Sequence, residues 1–137
     1  MTDLFCQTNP SAQKINQQSI KGISLFANVG ISETYLASQN IHIVAANELL
    51  PERAKFYQHL YPQTQMICGD ITDPAVFNQL VVKFHTEKCS FLIATPPCQG
   101  MSIAGKMNPN DPRNKLIINV IDFIKATKPE NIIIENV

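Results

Sequence analysis

From residue 22 onward the chain repeats one pattern five times: a short β-branched or aliphatic run, then a turn or a stretch with helical spacing. Ile23–Phe26 reads as a first strand and Ser32–Gln39 as a short helix. Ile41–Asn47 is a second strand, followed by a helix over Pro51–Leu60 whose proline sits early, where its missing N–H costs nothing. Thr64–Cys68 is a third strand. Val76, Phe77, Leu80, Val81 and Phe84 then recur at helical spacing behind the start signal Asp73-Pro74. Phe91–Ala94 is a fourth strand, Asn114–Ala126 a helix with an aliphatic stripe, and Asn131–Glu135 a fifth strand. Such alternation predicts an α/β fold: a doubly wound, mostly parallel sheet whose right-handed crossovers place helices on both faces.

The bulk properties narrow the class. At 137 residues the chain fits one domain, and a hydrophobic fraction of 45% is that of a globular protein. No apolar run approaches the roughly 18 residues of a spanning helix. Met1–Cys6 lacks the basic start and apolar core of a signal peptide, so the expectation is a cytoplasmic protein without a membrane partner. Eleven basic and eleven acidic residues balance with no basic run, so this segment alone is expected to hold nucleic acid weakly. The four cysteines form no C-x-x-C pair, and His42, His59 and His85 stand apart from them; free thiols and no metal are expected. Residues 1–19, polar and aperiodic, read as a flexible arm, and residues 20–137 as the domain. A chain ending on a strand of such a sheet reads as the first part of something larger, because an open edge invites aggregation.

In sheets of this kind ligands sit at the carboxyl ends of the strands. After strand one comes Phe26-Ala27-Asn28-Val29-Gly30, where Gly30 permits close approach and Asn28 tolerates a left-handed backbone. After strand two comes Glu48, about 20 residues past the first turn, where nucleoside-binding α/β folds hold a ribose diol. After strand three comes Gly69-Asp70-Ile71, with a carboxylate able to accept from an exocyclic amine. Strand four runs into Thr95-Pro96-Pro97-Cys98-Gln99-Gly100-Met101-Ser102, which presents one thiol behind a rigid Pro-Pro step, and strand five into Glu135-Asn136. Each has a plainer reading: a turn glycine, a helix-capping acid, a buried cysteine, a solvated strand end. Together they put groups suited to one nucleoside-like ligand and one nucleophile on a single edge.

Ser24-Leu25-Phe26-Ala27-Asn28-Val29-Gly30 resembles the cofactor loop of the C5-cytosine DNA methyltransferases, Pro97-Cys98-Gln99 their nucleophile motif, and Glu135-Asn136-Val137 their Glu-Asn-Val motif. Asp111-Pro112-Arg113-Asn114-Lys115-Leu116 resembles the segment that this family carries between the last two. Ser24, Asn28 and Ile31 depart from a loop that in the family begins with an acid and holds more glycines. The resemblance implies S-adenosylmethionine as methyl donor. By position it implies that Phe26, Ala27, Asn28, Gly30, Glu48, Asp70, Ile71, Pro97 and Leu116 bind this cofactor. Cys98 would be the nucleophile and Glu135 the partner of the target base, with Gln99, Ser102, Arg113 and Asn136 on the substrate side.

The implied chemistry suits these residue types. Thiolate addition at C6 of cytosine makes C5 nucleophilic, and an acid at N3 stabilises the charge that builds on the ring. The base must first be flipped out of a duplex. The implied partners are double-stranded DNA, bound through the complete enzyme, and a missing C-terminal half, in the same chain or as a separate subunit. This stretch alone is expected to be inactive. The resemblance also admits a tRNA cytosine methyltransferase or a non-catalytic cofactor-binding subunit, whereas a nicotinamide enzyme is disfavoured by the lack of G-x-G-x-x-G.

Overall fold

The computed structural model describes residues 19–97 and 115–135. All but the last residue of the expected arm lies outside them. Five strands, β1 (Ile20–Leu25), β2 (Ile41–Glu48), β3 (Gln65–Cys68), β4 (Phe91–Ala94) and β5 (Asn131–Ile134), form one sheet in the order β3-β2-β1-β4-β5. Every neighbouring pair is parallel. The helices are α1 (Pro51–Leu60), α2 (Pro74–Thr86) and α3 (Leu116–Thr127).

The side-chain period of two divides the core between the faces. Ile23 and Leu25 of β1, Ala45 of β2, and Leu92 and Ala94 of β4 pack against Leu80 and Phe84 of α2 and Val120 and Phe123 of α3. Phe123 is fully buried and meets Phe77 and Phe84 edge-on, with ring centroids 5.8 and 6.0 Å apart. The opposite face is thinner: Ala27, Ala46 and Tyr57, with Ile43, Tyr61 and Met66 around them. Thus α1 covers one face, and α2 and α3 the other. Gly22 lets β1 approach β4, since a Cβ there would stand 2.6 Å from the Phe91 ring.

Two expectations need correction. The first strand begins at Ile20 and ends at Leu25, so Phe26 belongs to the loop, where it takes a φ of 58°. Residues 32–39 form no α-helix but two separate 3-10 turns, Ile31–Glu33 and Ala37–Gln39. The hydroxyls of Thr34 and Ser38 donate to the carbonyls of Ile31 (2.7 Å) and Tyr35 (2.6 Å), a local bonding that competes with a continuous helix. Asn40, at φ 60°, closes the second turn. The other elements match their expected bounds to within two residues over the described positions.

Among the described residues β5 pairs with β4 alone, and Ile132, Ile133 and Ile134 are 42–45% exposed. No helix among the described residues is long and apolar enough to cross a membrane, and no described group of three or more His, Cys, Asp or Glu side chains is arranged to hold a metal. Cys68 and Cys89 are free thiols; burial, and then the nearby Glu87 charge, push the Cys89 thiol up to about 11.

Replacing Phe123 by Ala leaves a cavity between α2, α3 and the sheet, with an expected loss of about 3–5 kcal/mol in urea unfolding. Site-resolved alkylation at pH 8, followed by mass spectrometry, is expected to modify exposed Cys68 well before Cys89, whose thiolate is scarce at that pH.

Candidate functional site

The sheet order sends the chain from β1 to β2 on one side and brings it back at β4 on the other. The loops after β1 and β4 therefore diverge, and a crevice opens at the carboxyl edge between them. It widens into a cleft of about 750 Å³.

The loop after β1 forms the floor of this cleft. Phe26, Asn28 and Gly30 all adopt positive φ (58°, 52° and 82°), which folds the segment into a tight turn closed by the Gly30 N–H donating to the Ala27 carbonyl at 2.8 Å. Phe26, Ala27 and Asn28 line the cleft; Gly30, expected with them, is not among its lining residues. A Cβ on Gly30 would stand 2.3 Å from the Tyr61 ring and 3.0 Å from the Tyr57 ring, so glycine is required by space as well as by φ. Ile31, next in line, needs no positive φ, because it opens the 3-10 turn instead.

Glu48 ends β2 and is almost fully buried. One carboxylate oxygen accepts from the Asn28 N–H at 2.9 Å, the other from the Leu50 N–H at 2.9 Å. It thereby ties the β1 loop to the start of α1, and each oxygen keeps further acceptor capacity. Its neighbour Asn47 donates to the carbonyls of Ile67 (2.9 Å) and Gly69 (3.0 Å), while its own carbonyl accepts from the Ala27 N–H at 2.9 Å. That residue holds the ends of β1, β2 and β3 together. The sequence placed Asn47 only as the last residue of the second strand, since no local pattern encodes bonds to carbonyls 20 and 22 positions away.

Asp70 and Ile71 follow β3 and line the same cleft. Asp70 Oδ1 accepts from the Thr72 N–H and hydroxyl at 2.9 and 2.8 Å, while Oδ2 takes no part in that turn. Ile71 is buried in the core. After β4, the Thr95 hydroxyl donates to the Phe26 carbonyl at 2.8 Å, binding the β4 loop to the β1 loop. Pro97, Leu116 at the start of α3, and Glu135 complete the lining. The Glu135 N–H donates to the Ala94 carbonyl at 3.0 Å, which continues the β4–β5 ladder into the site.

Of the residues expected at the site, Phe26, Ala27, Asn28, Glu48, Asp70, Ile71, Pro97, Leu116 and Glu135 share the one cleft. Cys98, Gln99, Ser102, Arg113 and Asn136 lie outside the described residues. The lining also carries Arg53 of α1, which the sequence did not single out; against it stand the carboxylates of Glu48, Asp70 and Glu135, so among the described residues acidic side chains outnumber basic ones on the lining.

Comparison with known proteins bears on what such a cleft holds. The chain is 48% identical over 126 residues to the Type II methyltransferase M1.HgaI of Avibacterium volantium, a match covering 88% of this chain and 35% of that protein. It is 30% identical over 122 residues to the Type II methyltransferase M1.HphI of Haemophilus parahaemolyticus, covering 87% and 32%. The chain thus spans about a third of the length of these curated relatives. Among solved structures, a putative DNA modification methyltransferase encoded within an E. coli prophage superposes with a TM-score of 0.69 at 22% identity, over 87% of this chain and 32% of that one. Spodoptera frugiperda DNMT2 superposes with a TM-score of 0.61 at 24% identity, over 87% and 36%. These likenesses show the fold, as does a more distant one to Candida albicans Gre2 in complex with NADPH (TM-score 0.53, 12% identity, over 84% of this chain and 36% of that one), so the fold by itself does not choose the ligand. The family described as C-5 cytosine-specific DNA methylase matches residues 20–137, and the chain belongs to that family.

Proposed function

We propose that this chain is the cofactor-binding, nucleophile-bearing part of a DNA (cytosine-5) methyltransferase of a bacterial restriction–modification system. The observation that carries the reading is the meeting of Glu48, Asp70, Pro97 and Glu135 in one cleft at the switch point of the sheet. S-adenosylmethionine, the cofactor of this reading, would supply an electrophilic methyl group on a sulfonium.

The residues present fit that group. A cleft lined by three carboxylates favours a molecule carrying sulfonium and ammonium charges. Glu48, already fixed by two backbone N–H donors, is pre-organised to accept from vicinal ribose hydroxyls. Phe26 offers an apolar face and Asp70 an acceptor for an exocyclic amine. Cys98 follows Pro97, which lines the cleft, directly in sequence, and this reading makes it the nucleophile. In the proposed reaction its thiolate adds to C6 of a flipped cytosine, and the electron pair released onto the ring makes C5 nucleophilic. Glu135 at N3 orients the base and stabilises the developing charge. C5 would take the methyl group from the bound donor, which leaves as the thioether S-adenosylhomocysteine; loss of the C5 proton to a base then lets the C6–S bond break and returns the thiolate. Target DNA and the remaining polypeptide complete the enzyme in this reading.

Two experiments test it. With the full-length protein, S-adenosylmethionine and a duplex carrying 5-fluorocytosine, a covalent protein–DNA adduct is expected, and Cys98→Ala abolishes it; an adduct that survives the substitution removes Cys98 from the chemistry. Glu48→Gln removes the charge that accepts the ribose hydroxyls, and calorimetry with S-adenosylhomocysteine should show affinity lower by about tenfold or more.

A further inference from the structure

Beneath the loop after β1, on the face covered by α1, lies a buried polar cluster that the proposed reaction does not use. Glu33, on the first 3-10 turn, is 3% exposed. Its Oε2 accepts from the Tyr57 hydroxyl, and its Oε1 has no partner among the described residues. Ser24 of β1 and Thr64 are buried hydroxyls near this pair. Burying a carboxyl group is costly even with the Tyr57 and Ser24 hydroxyls against it, so its presence needs a reason that general packing does not provide.

The geometry supplies one. The Tyr57 and Tyr61 rings stack at a tilt, with centroids 4.8 Å apart, and both lie against Gly30, leaving no room for a Cβ there. The Tyr61 hydroxyl donates to the Gly30 carbonyl at 2.7 Å, and the Glu33 N–H donates to the same carbonyl at 3.3 Å. Glu33 therefore grips the turn twice, through its own backbone and through the ring its carboxylate holds. An apolar residue at this position would leave the Tyr57 hydroxyl buried without its acceptor.

We propose that Glu33 is a positioning residue for the loop after β1: by holding the Tyr57 hydroxyl it keeps the two rings under Gly30 and the Ala27–Gly30 backbone in its ligand-ready shape. For the cofactor, the inference rests on the function proposed above. The same acid makes the loop sensitive to pH. Burial raises the Glu33 carboxyl above its ordinary value, opposed by the hydroxyls of Ser24 and Tyr57, with Thr64 and Tyr61 beside Tyr57. A raised acid favours the closed loop fully below the carboxyl's unfolded value, and this contribution is lost as pH rises through the folded one.

The test is amide hydrogen exchange on the full-length protein as a function of pH, paired with calorimetric binding of S-adenosylhomocysteine. Glu33→Leu and Tyr57→Phe should each lower protection of the Ala27 and Gly30 amides about tenfold relative to Leu92 of β4, as expected for losing one buried hydrogen bond, and the double variant should lose no more. Glu33→Gln keeps an acceptor for Tyr57, so it should retain protection and abolish its dependence on pH. Tyr57→Phe and Glu33→Gln carry the test if Glu33→Leu does not fold. Wild-type loop protection in Tyr57→Phe, equal losses at the loop and at Leu92, or a Glu33→Gln variant with unchanged pH dependence would overturn the proposal. Loop effects as expected in a wild-type chain that binds no S-adenosylhomocysteine would count against the cofactor reading and leave the positioning role standing.

Discussion

The carboxylate of Glu48 joins two segments that the chain otherwise builds separately. One oxygen holds the Asn28 N–H of the β1 loop and the other the Leu50 N–H at the head of α1. Both are charge-assisted bonds to backbone donors in a nearly water-free position, the setting in which such bonds are strongest. Asn47 extends the same fastening to the end of β3. The cleft is therefore shaped by main-chain groups held by two adjacent side chains of β2, and the ligand-facing groups inherit their positions from that arrangement.

Much of this was legible from residue pattern, and the physical reasons are specific. β4 and α1 were read to the residue, because Phe91–Ala94 is a fully buried parallel strand bounded by turn residues and Pro51 marks a helix start. The residues at the strand ends were legible because α/β sheets place ligands there, and eight of the positions named on that ground line the cleft; Leu116, at the start of α3, was named from the family resemblance alone. Residues 32–39 were not, since their hydroxyls bond locally and no apolar stripe runs through them. Glu33 escaped notice for a related reason: a lone acid in a polar stretch reads as solvated, and its burial comes from a tyrosine 24 positions away. No periodicity encodes such a pairing.

The two faces of the sheet are built differently. The α2–α3 face is a dry, aromatic-rich core around Phe123, whereas the α1 face mixes tyrosines, hydroxyls and one buried carboxylate beneath the cleft. Rigidity comes from packing on the first and from directed hydrogen bonds on the second. Among the described residues β5 is an edge strand that exposes three consecutive isoleucines, and α3 separately exposes Ile118 and Ile121.

The 2.8 Å bond from the Thr95 hydroxyl to the Phe26 carbonyl has a consequence for anyone recombining this chain with its relatives. It spans 69 positions of sequence yet links the two loops that frame the crevice, so neither loop carries its geometry alone. A chimera that imports the segment after β1 without the one after β4 severs that seam. A single crossover is better placed outside the stretch from Phe26 to Thr95, for example within α3, so that both loops come from one parent.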